Sequence, residues 1–191
     1  MYLCLISMEL QIPGRAHVKY QWIYTTIRGR DEQMFDGTTQ PFEWIQSRDF
    51  VQILAVQWDK IITTHEQQPW IGTFHTLIGG IIEQGHTPLQ TAHKELKEEA
   101  GIIAKDLQHL ATFPGIWRVQ KVHFFLTRDF DGPGPQTLDP GEKIQLVSLT
   151  FEELLDQMTK NDRRAGEFNL RATQQYFIQG KHEAFRKLLF G

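Results

Sequence analysis

Three glutamates crowd one short stretch of the chain, and their spacing places them on one side of a helix. Glu95, Glu98 and Glu99 stand at positions i, i+3 and i+4, which share a helix face. Like charges at these spacings repel each other and destabilise an isolated helix. A hard divalent cation would convert that repulsion into ligation, because magnesium takes oxygen ligands and bridges to the phosphates of a substrate.

The helix that carries these glutamates has clear start and stop signals. Thr87 is a good N-cap, Pro88 suits the first helical position, and Gln90 completes a capping box with Thr87. Gly101 is expected to end the helix in the left-handed conformation. One apolar stripe should pack on a core while the carboxylates flank a cleft. The residues of this stripe are Leu89, Ala92, Leu96 and Ala100.

The segment around this helix resembles the Nudix box, a pattern of glycines, glutamates and aliphatic residues at fixed spacing. The matching positions are Gly80, Glu95, Leu96, Glu98, Glu99, Gly101 and Ile102. Two positions depart, since His86 stands where a glutamate is expected and Lys94 where an arginine is expected. An ordinary surface helix is the alternative, but the long fixed spacing to the double glycine favours the Nudix interpretation.

The resemblance implies a site for Mg²⁺ or Mn²⁺ built on this box. The expected metal ligands are Glu95, Glu99, Glu98, the Gly79 carbonyl and Glu83. Glu98 would share or bridge a second ion, while Glu83 has the alternative of being a solvent-facing loop acid. Lys94 would pair with a ligand carboxylate as the arginine does, but without the rigid planar fork of a guanidinium. His86 is either a further ligand or, more simply, a polar turn residue.

Hydrolysis of a phosphoanhydride also needs an oriented water and a general base. The resemblance places the base in the loop after the sheet, here Asp129 to Glu142, which contains three prolines and three glycines. Glu142 is the best match and Asp139 the second, with the alternative that both merely solvate the loop. A loop of this kind is expected to move when substrate binds. Candidate platforms for a stacked base are Trp44, Trp70 and Arg118.

Composition limits the other function classes. The chain has 191 residues with 40% hydrophobic content and a net charge of −3, which suits one domain and gives no bulk attraction to nucleic acid. One cysteine excludes an internal disulfide and a cysteine-rich zinc site, and it favours the cytoplasm. Met1 to Ile6 is too short and lacks the basic start of a signal peptide. We expect no membrane span.

Strand and helix patterns alternate in a way that predicts an α/β protein. We expect a β-rich N-terminal extension over 1–47 and a Nudix domain over 48–191, with helices near 151–158, 168–178 and 181–189. Buried strands are predicted at Val51–Val56 and Ile61–His65. The resemblance implies an α/β/α sandwich with a mixed β-sheet.

Features outside the box are similar to the ADP-ribose pyrophosphatase and nucleotide-sugar hydrolase branch of the family. These are the N-terminal β part, the Phe113-Pro114-Gly115 turn and the acidic loop that leads into Ile144–Val147. The resemblance implies metal-dependent cleavage of a nucleoside diphosphate linked to another group, X, and a homodimer. Two alternatives remain open, namely a degenerate domain that binds a nucleotide without turnover and a nucleoside triphosphate pyrophosphatase.

Overall fold

A computed structural model describes residues 11–69, 72–115, 118–159 and 182–191. The chain divides into two compact units. One comprises Met1–Phe50 with Thr112–Val122, and the other comprises Val51–Ala111 with His123–Gly191. The division predicted from sequence, 1–47 and 48–191, stays a prediction about domain organisation.

The first unit contains a three-stranded antiparallel sheet in the order β1-β2-β3. Its strands are β1 (His17–Gln21), β2 (Thr25–Gln33) and β3 (Thr39–Ser47). The hairpin between β2 and β3 turns at Asp36-Gly37, where Gly37 has a φ of 84° and the Asp36 carboxylate accepts a hydrogen bond from the Thr38 N–H at 2.9 Å.

The larger sheet has six strands, and its central path runs β11-β5-β4-β9-β8. Its strands are β4 (Phe50–Gln57), β5 (Lys60–Gln68), β6 (Gly72–Thr76), β8 (Gln108–Pro114), β9 (Lys121–Thr127) and β11 (Lys143–Thr150). One edge of β5 pairs with β4 over Lys60–Ile62 and then with β6 over Thr64–Gln68. The other edge of β5 pairs with β11 along almost its whole length.

In the described residues, a helix and two short strands follow β6, and two more helices follow β11. The elements are α1 (Pro88–Ala100), β7 (Ile103–Ala104), β10 (Phe130–Asp131), α2 (Phe151–Thr159) and α3 (His182–Phe190). The first and last predicted helical segments after the sheet are therefore confirmed, while 168–178 lies outside the described residues. No helix in the described part of the chain is both long and apolar enough to cross a membrane.

The core under α1 is built from alternate residues of the sheet. Val51, Ile53 and Ala55 of β4 point to α1, together with Ile62 of β5 and Phe125 of β9. They pack against three residues of α1 that are fully buried, which are Ala92, Leu96 and Ala100. Because β5 contributes to this same face, the side chains of its alternate residues also point to α1.

Candidate metal centre and active site

Both ends of α1 are held by the local interactions that its sequence predicts. The Thr87 hydroxyl accepts a hydrogen bond from the Gln90 N–H, and the Gln90 side chain accepts one from the Thr87 N–H at 2.9 Å. Gly101 ends the helix with a φ of 60°, and the Ile102 N–H donates back to the Leu96 carbonyl. The predicted capping box and glycine stop are therefore confirmed, and they fix where the glutamates lie along the helix.

The apolar stripe of α1 is shorter than predicted. Leu89 is 46% exposed, so its assignment to the core-facing stripe is wrong. Thr91 is buried in the first turns instead, and Glu99 in the last turn is only 5% exposed. The helix therefore carries one of its glutamates into the protein interior rather than along the edge of a cleft.

The double glycine touches two of the glutamates. The Gly79 N–H donates a hydrogen bond to Glu99 Oε2 at 3.0 Å. A Cβ at Gly80 would lie 2.5 Å from Glu95 Cδ, so only glycine lets the Glu95 carboxylate pack there. The Gly80 carbonyl accepts from the Val51 N–H at 2.9 Å, whereas the structure shows no hydrogen bond to the Gly79 carbonyl among the described residues.

Lys94 connects the outer acids. Its ammonium lies 2.8 Å from Glu98 Oε2 and 3.2 Å from Glu83 Oε1, and all three side chains are partly exposed. The hydrogen bond to Glu98, followed by the one to Glu83, raises the pKa of Lys94. The structure thus pairs Glu83 and Glu98 with Lys94 near the protein surface. Glu95 is partly buried and Glu99 is buried.

The loop after β10 is attached to the end of α1. The Gly134 N–H donates to the Ala100 carbonyl and the Thr137 N–H to the Glu98 carbonyl, at 3.2 and 2.8 Å. The Gln136 side chain donates to the carbonyl between them, that of Glu99. These bonds satisfy carbonyls that have no partner within the helix.

The prediction of a continuous loop from Asp129 is wrong at its start, because Phe130–Asp131 pairs with β7.

This attachment brings Glu142 to the helix carboxylates. Glu142 is half-buried, and its negative charge contributes to raising the pKa of Glu95 and of Glu99. Asp139 is exposed, and its N–H lies 3.4 Å from a Glu142 carboxylate oxygen. Of the two candidate bases, Glu142 is therefore the one that interacts with the carboxylates of the box.

Burial is the largest cause of the altered acidity in this cluster. It raises the pKa of Glu95 from 4.5 to about 7, ahead of the effects of neighbouring charges. Burial also raises the pKa of Glu99 well above its ordinary value and raises that of Glu142. Such groups are hard to ionise without a nearby cation.

The cluster has a member that the sequence analysis missed, Glu66 of β5. This residue is 7% exposed, and burial raises its pKa from 4.5 to about 7. Among neighbouring charges, Glu66 has the largest effect on the pKa of Glu99. The sequence contains a sign of this position. Glu66 follows Ile62 by four residues and Thr64 by two, so the alternation of the strand places an acid on its core-facing side.

The donor set suits a hard divalent cation in its chemistry, because it consists of carboxylate oxygens and the Gly79 carbonyl, which accepts no hydrogen bond from the described residues. Among the residues that the structure describes, no three His, Cys, Asp or Glu side chains are already arranged as a metal-holding group. Glu99 is bonded to the Gly79 N–H, and Glu98 is bonded to Lys94. A cation would therefore draw these side chains together from their present partners.

The predicted stacking residues belong to the first unit or lie outside the described residues. Trp44 is half-buried in β3, with its ring 6.4 Å from that of Phe42. Arg118 is exposed and lines a pocket of about 100 Å³ in this unit, together with Ser47, Asp49 and Lys121. Trp70 lies outside the described residues.

The chain is similar to known proteins over more than half of its length. The family described as the NUDIX domain matches residues 45–168, which is well over half of the chain. The ADP-ribose pyrophosphatase of Bacillus subtilis (strain 168) is 30% identical over 131 residues, which cover 65% of this chain and 70% of that protein. The methanol dehydrogenase activator of Bacillus methanolicus is 27% identical over the same coverage.

A third relative and a solved structure extend the comparison. The NAD-capped RNA hydrolase NudC of Enterobacter sp. (strain 638) is 28% identical over 102 residues, which are 53% of this chain but only 39% of that protein. The crystal structure of an ADP compounds hydrolase superposes with a TM-score of 0.66 at 20% identity, covering 92% of this chain and all of that one. This likeness confirms the predicted α/β fold, and the relatives confirm the resemblance to ADP-ribose pyrophosphatases. With its carboxylate helix, its double-glycine turn and the match over residues 45–168, the chain belongs to the Nudix family.

Proposed function

We propose that this chain is a metal-dependent pyrophosphohydrolase that cleaves the phosphoanhydride of a nucleoside diphosphate linked to X. ADP-ribose or a nucleotide sugar is the favoured substrate. Water adds across the anhydride, one P–O bond breaks, and ADP-ribose would give AMP and ribose 5-phosphate. The 30% identity to an ADP-ribose pyrophosphatase supports this substrate class.

One observation carries this function. The carboxylates of Glu95 and Glu99 on α1 interact electrostatically with Glu142, which follows a loop attached to the same helix. Ligands and a base for hydrolysis would thus be held on one framework, so that they keep their relative positions. A bound Mg²⁺ or Mn²⁺ would neutralise the phosphate charge and polarise the P–O bonds.

Each residue of the site then has a role. Glu95 and Glu99 would hold the ion, with the Gly79 carbonyl as a backbone ligand. Glu98 would leave its ion pair with Lys94 and bind the metal as a further ligand. Glu142 would accept the proton of the attacking water, because burial raises its pKa and so makes it a stronger proton acceptor than an exposed carboxylate. Glu83 and Lys94 would hold the middle of α1 against the segment that follows the double glycine through their ion pair.

A second candidate function is nucleotide binding without turnover. The observation that favours it is the pair of departures from the box, His86 and Lys94. His86 is exposed, and its N–H donates to the Glu83 carbonyl at 3.1 Å. A histidine at this position adds no negative charge to the site, and this would weaken metal binding.

A hydrolysis screen separates these functions. ADP-ribose, nucleotide sugars, dinucleoside polyphosphates and nucleoside triphosphates are each incubated with Mg²⁺, Mn²⁺ or EDTA, and products are identified by chromatography and ³¹P NMR. We expect metal-dependent release of a nucleoside monophosphate from an NDP-X compound, and none from the Glu95→Gln/Glu99→Gln variant. Binding of nucleotides without any hydrolysis would favour the second function, and preference for triphosphates would overturn the substrate class.

The assembly and location of the protein are part of the same proposal. We propose a homodimer formed through the first unit, which exposes many large apolar side chains for its size. These exposed residues are Val18, Tyr20, Trp22, Ile23, Tyr24, Phe35, Phe42 and Ile45. Light scattering on the parent should give twice the monomer mass, and Trp22→Ser should shift it toward the monomer. A cytoplasmic location rests on the single cysteine.

A further inference from the structure

Glu66 is a buried acid to which neither the sequence motif nor the family match assigns a role. It lies in the half of β5 that pairs with β6, opposite Phe74 on that strand and opposite Ile144 on β11. Its Oε1 accepts a hydrogen bond from the Thr64 hydroxyl at 2.7 Å. A neutral hydroxyl does not balance a carboxylate charge, and acids are almost never fully buried unless they are paired.

The side chain of Glu66 points to the same side of the sheet as α1. Side chains alternate along a strand, so Ile62, Thr64 and Glu66 share one face of β5. Ile62 packs in the core with Leu96 and Ala100 of α1, which identifies that face as the one under the helix. Glu66 therefore approaches Glu99 from the sheet, while Glu99 itself is carried by the helix.

Neither Glu66 nor Glu99 forms an ion pair with a lysine, arginine or histidine among the residues that the structure describes. The Glu66 carboxylate accepts a hydrogen bond from the Thr64 hydroxyl, the Glu99 carboxylate accepts one from the Gly79 N–H, and the two side chains are 7% and 5% exposed. The Lys94 ammonium forms its ion pairs with Glu83 and Glu98, near the protein surface.

We propose that Glu66 is a further ligand of the divalent cation, contributed by the sheet opposite the helix ligands Glu95 and Glu99, and that Thr64 positions it. This inference rests on the proposed metal-dependent function. A hard cation takes six or more oxygen ligands, some of them waters, so a third inner carboxylate has a place in its coordination. The Thr64 hydroxyl would orient one carboxylate oxygen and leave the other for the ion.

The experiment measures metal binding directly. Mn²⁺ is titrated calorimetrically into the metal-free full chain at pH 8, and free Mn²⁺ is followed in parallel by electron paramagnetic resonance. Glu66→Gln keeps the shape and removes the charge, so Mn²⁺ affinity should fall about 10-fold or more. Thr64→Val leaves the carboxylate but removes its donor, and a smaller loss of affinity is expected.

A matched control is Asp59→Asn, which removes one carboxylate from the exposed turn of the same β4–β5 hairpin. It should bind Mn²⁺ as the parent does. The rise in melting temperature that Mn²⁺ causes should shrink in Glu66→Gln and stay unchanged in Asp59→Asn. If Glu66→Gln does not fold, Glu66→Met removes the carboxylate without leaving an unpaired amide and is measured in the same way.

The outcomes separate this inference from the function on which it rests. If Glu95→Gln loses Mn²⁺ binding while Glu66→Gln keeps the affinity and stoichiometry of the parent, the role of Glu66 is overturned and the metal site stands. If Glu95→Gln and Glu99→Gln also bind as the parent does, the metal site itself is wrong. Loss of affinity in Glu66→Gln with normal folding supports the proposal.

Discussion

The side-chain amide of Gln136 donates one hydrogen bond to the backbone carbonyl of Glu99, at 2.5 Å, and another to the carbonyl of Ile144, at 3.3 Å. The first carbonyl belongs to the helix of the Nudix box and the second to the start of β11. Glu142 lies between Gln136 and Ile144 in the chain, so this one side chain connects the glutamate helix to both sides of the candidate base.

We predict that Gln136→Ala lowers kcat about 10-fold or more and leaves KM and Mn²⁺ affinity close to those of the parent. Its amide holds Glu142 in position relative to α1, and small misplacements of a catalytic group are costly to rate. Thr137→Ala is the control, because Thr137 contacts the Glu98 carbonyl through its backbone N–H. Steady-state kinetics check this, and equal losses in the two variants would argue against a specific role for the amide.

We predict that Glu95→Gln and Glu99→Gln each bind Mn²⁺ at least about 10-fold more weakly than the parent. Either change removes a negative ligand but keeps the shape of the side chain. Glu99→Gln retains an oxygen that can accept from the Gly79 N–H, so the glycine turn should persist. Calorimetric titration is the measurement, and unchanged affinity in both variants would show that the cation lies elsewhere.

The metal-free protein should lose stability as the pH rises from about 4.5 through about 7. Burial raises the pKa of Glu66 and of Glu95 from 4.5 to about 7 in the folded chain. Between these values the unfolded chain is ionised while the folded chain retains its protons, so each rise in pH favours unfolding. Below 4.5 both states are protonated, and above about 7 the loss is complete.

Melting temperatures measured in EDTA between pH 4.5 and pH 8 check this prediction. The difference between parent and Glu95→Gln isolates one group, and the variant should show a flatter profile than the parent. Added Mn²⁺ should restore the parent most at pH 8, where the carboxylates are ionised. If the melting temperature of the parent instead rises relative to that of Glu95→Gln as the pH increases over this interval, the predicted loss of stability with rising pH is wrong.

We predict that Glu142→Gln lowers kcat by about 10²-fold or more, because a general base contributes on this scale. Asp139→Asn should have a small effect, since Asp139 is exposed and its hydrogen bonds with Glu142 use its backbone N–H and carbonyl, which the substitution keeps. Single-turnover kinetics with saturating metal measure the chemical step. If Asp139→Asn strongly lowers kcat while Glu142→Gln leaves it unchanged, the base is Asp139. If neither variant changes kcat, the base does not lie in this loop.

We predict low activity in the parent, with Mn²⁺ preferred over Mg²⁺, because His86 replaces the first glutamate of the box. His86→Glu should raise Mg²⁺-supported turnover by adding a negative charge beside Glu83 and the start of α1. Lys94→Arg should add to it, because a planar guanidinium can hold Glu83 and Glu98 in a fixed fork. Rapid Mg²⁺ turnover by the parent, slowed by His86→Glu, would reveal a positive role for the histidine.

The sequence by itself determined the glutamate helix and its family. Thr87, Gln90 and Gly101 act within a few residues of their partners, so the caps of α1 could be read from the chain alone. The spacing of Glu95, Glu98 and Glu99 is likewise local, and it predicted a shared face before any fold was known. The β5 strand followed from its apolar residues in the same way.

Only the tertiary structure decided which groups meet at that helix. Glu66 joins Glu99 because β5 lies under α1, and Gln136 reaches the Glu99 carbonyl because the loop after β10 packs on the helix end. Glu142 is half-buried beside the box whereas Asp139 is exposed, although both lie in one acidic loop. These contacts join residues far apart in the chain, so they depend on strand pairing and packing, which no local spacing encodes.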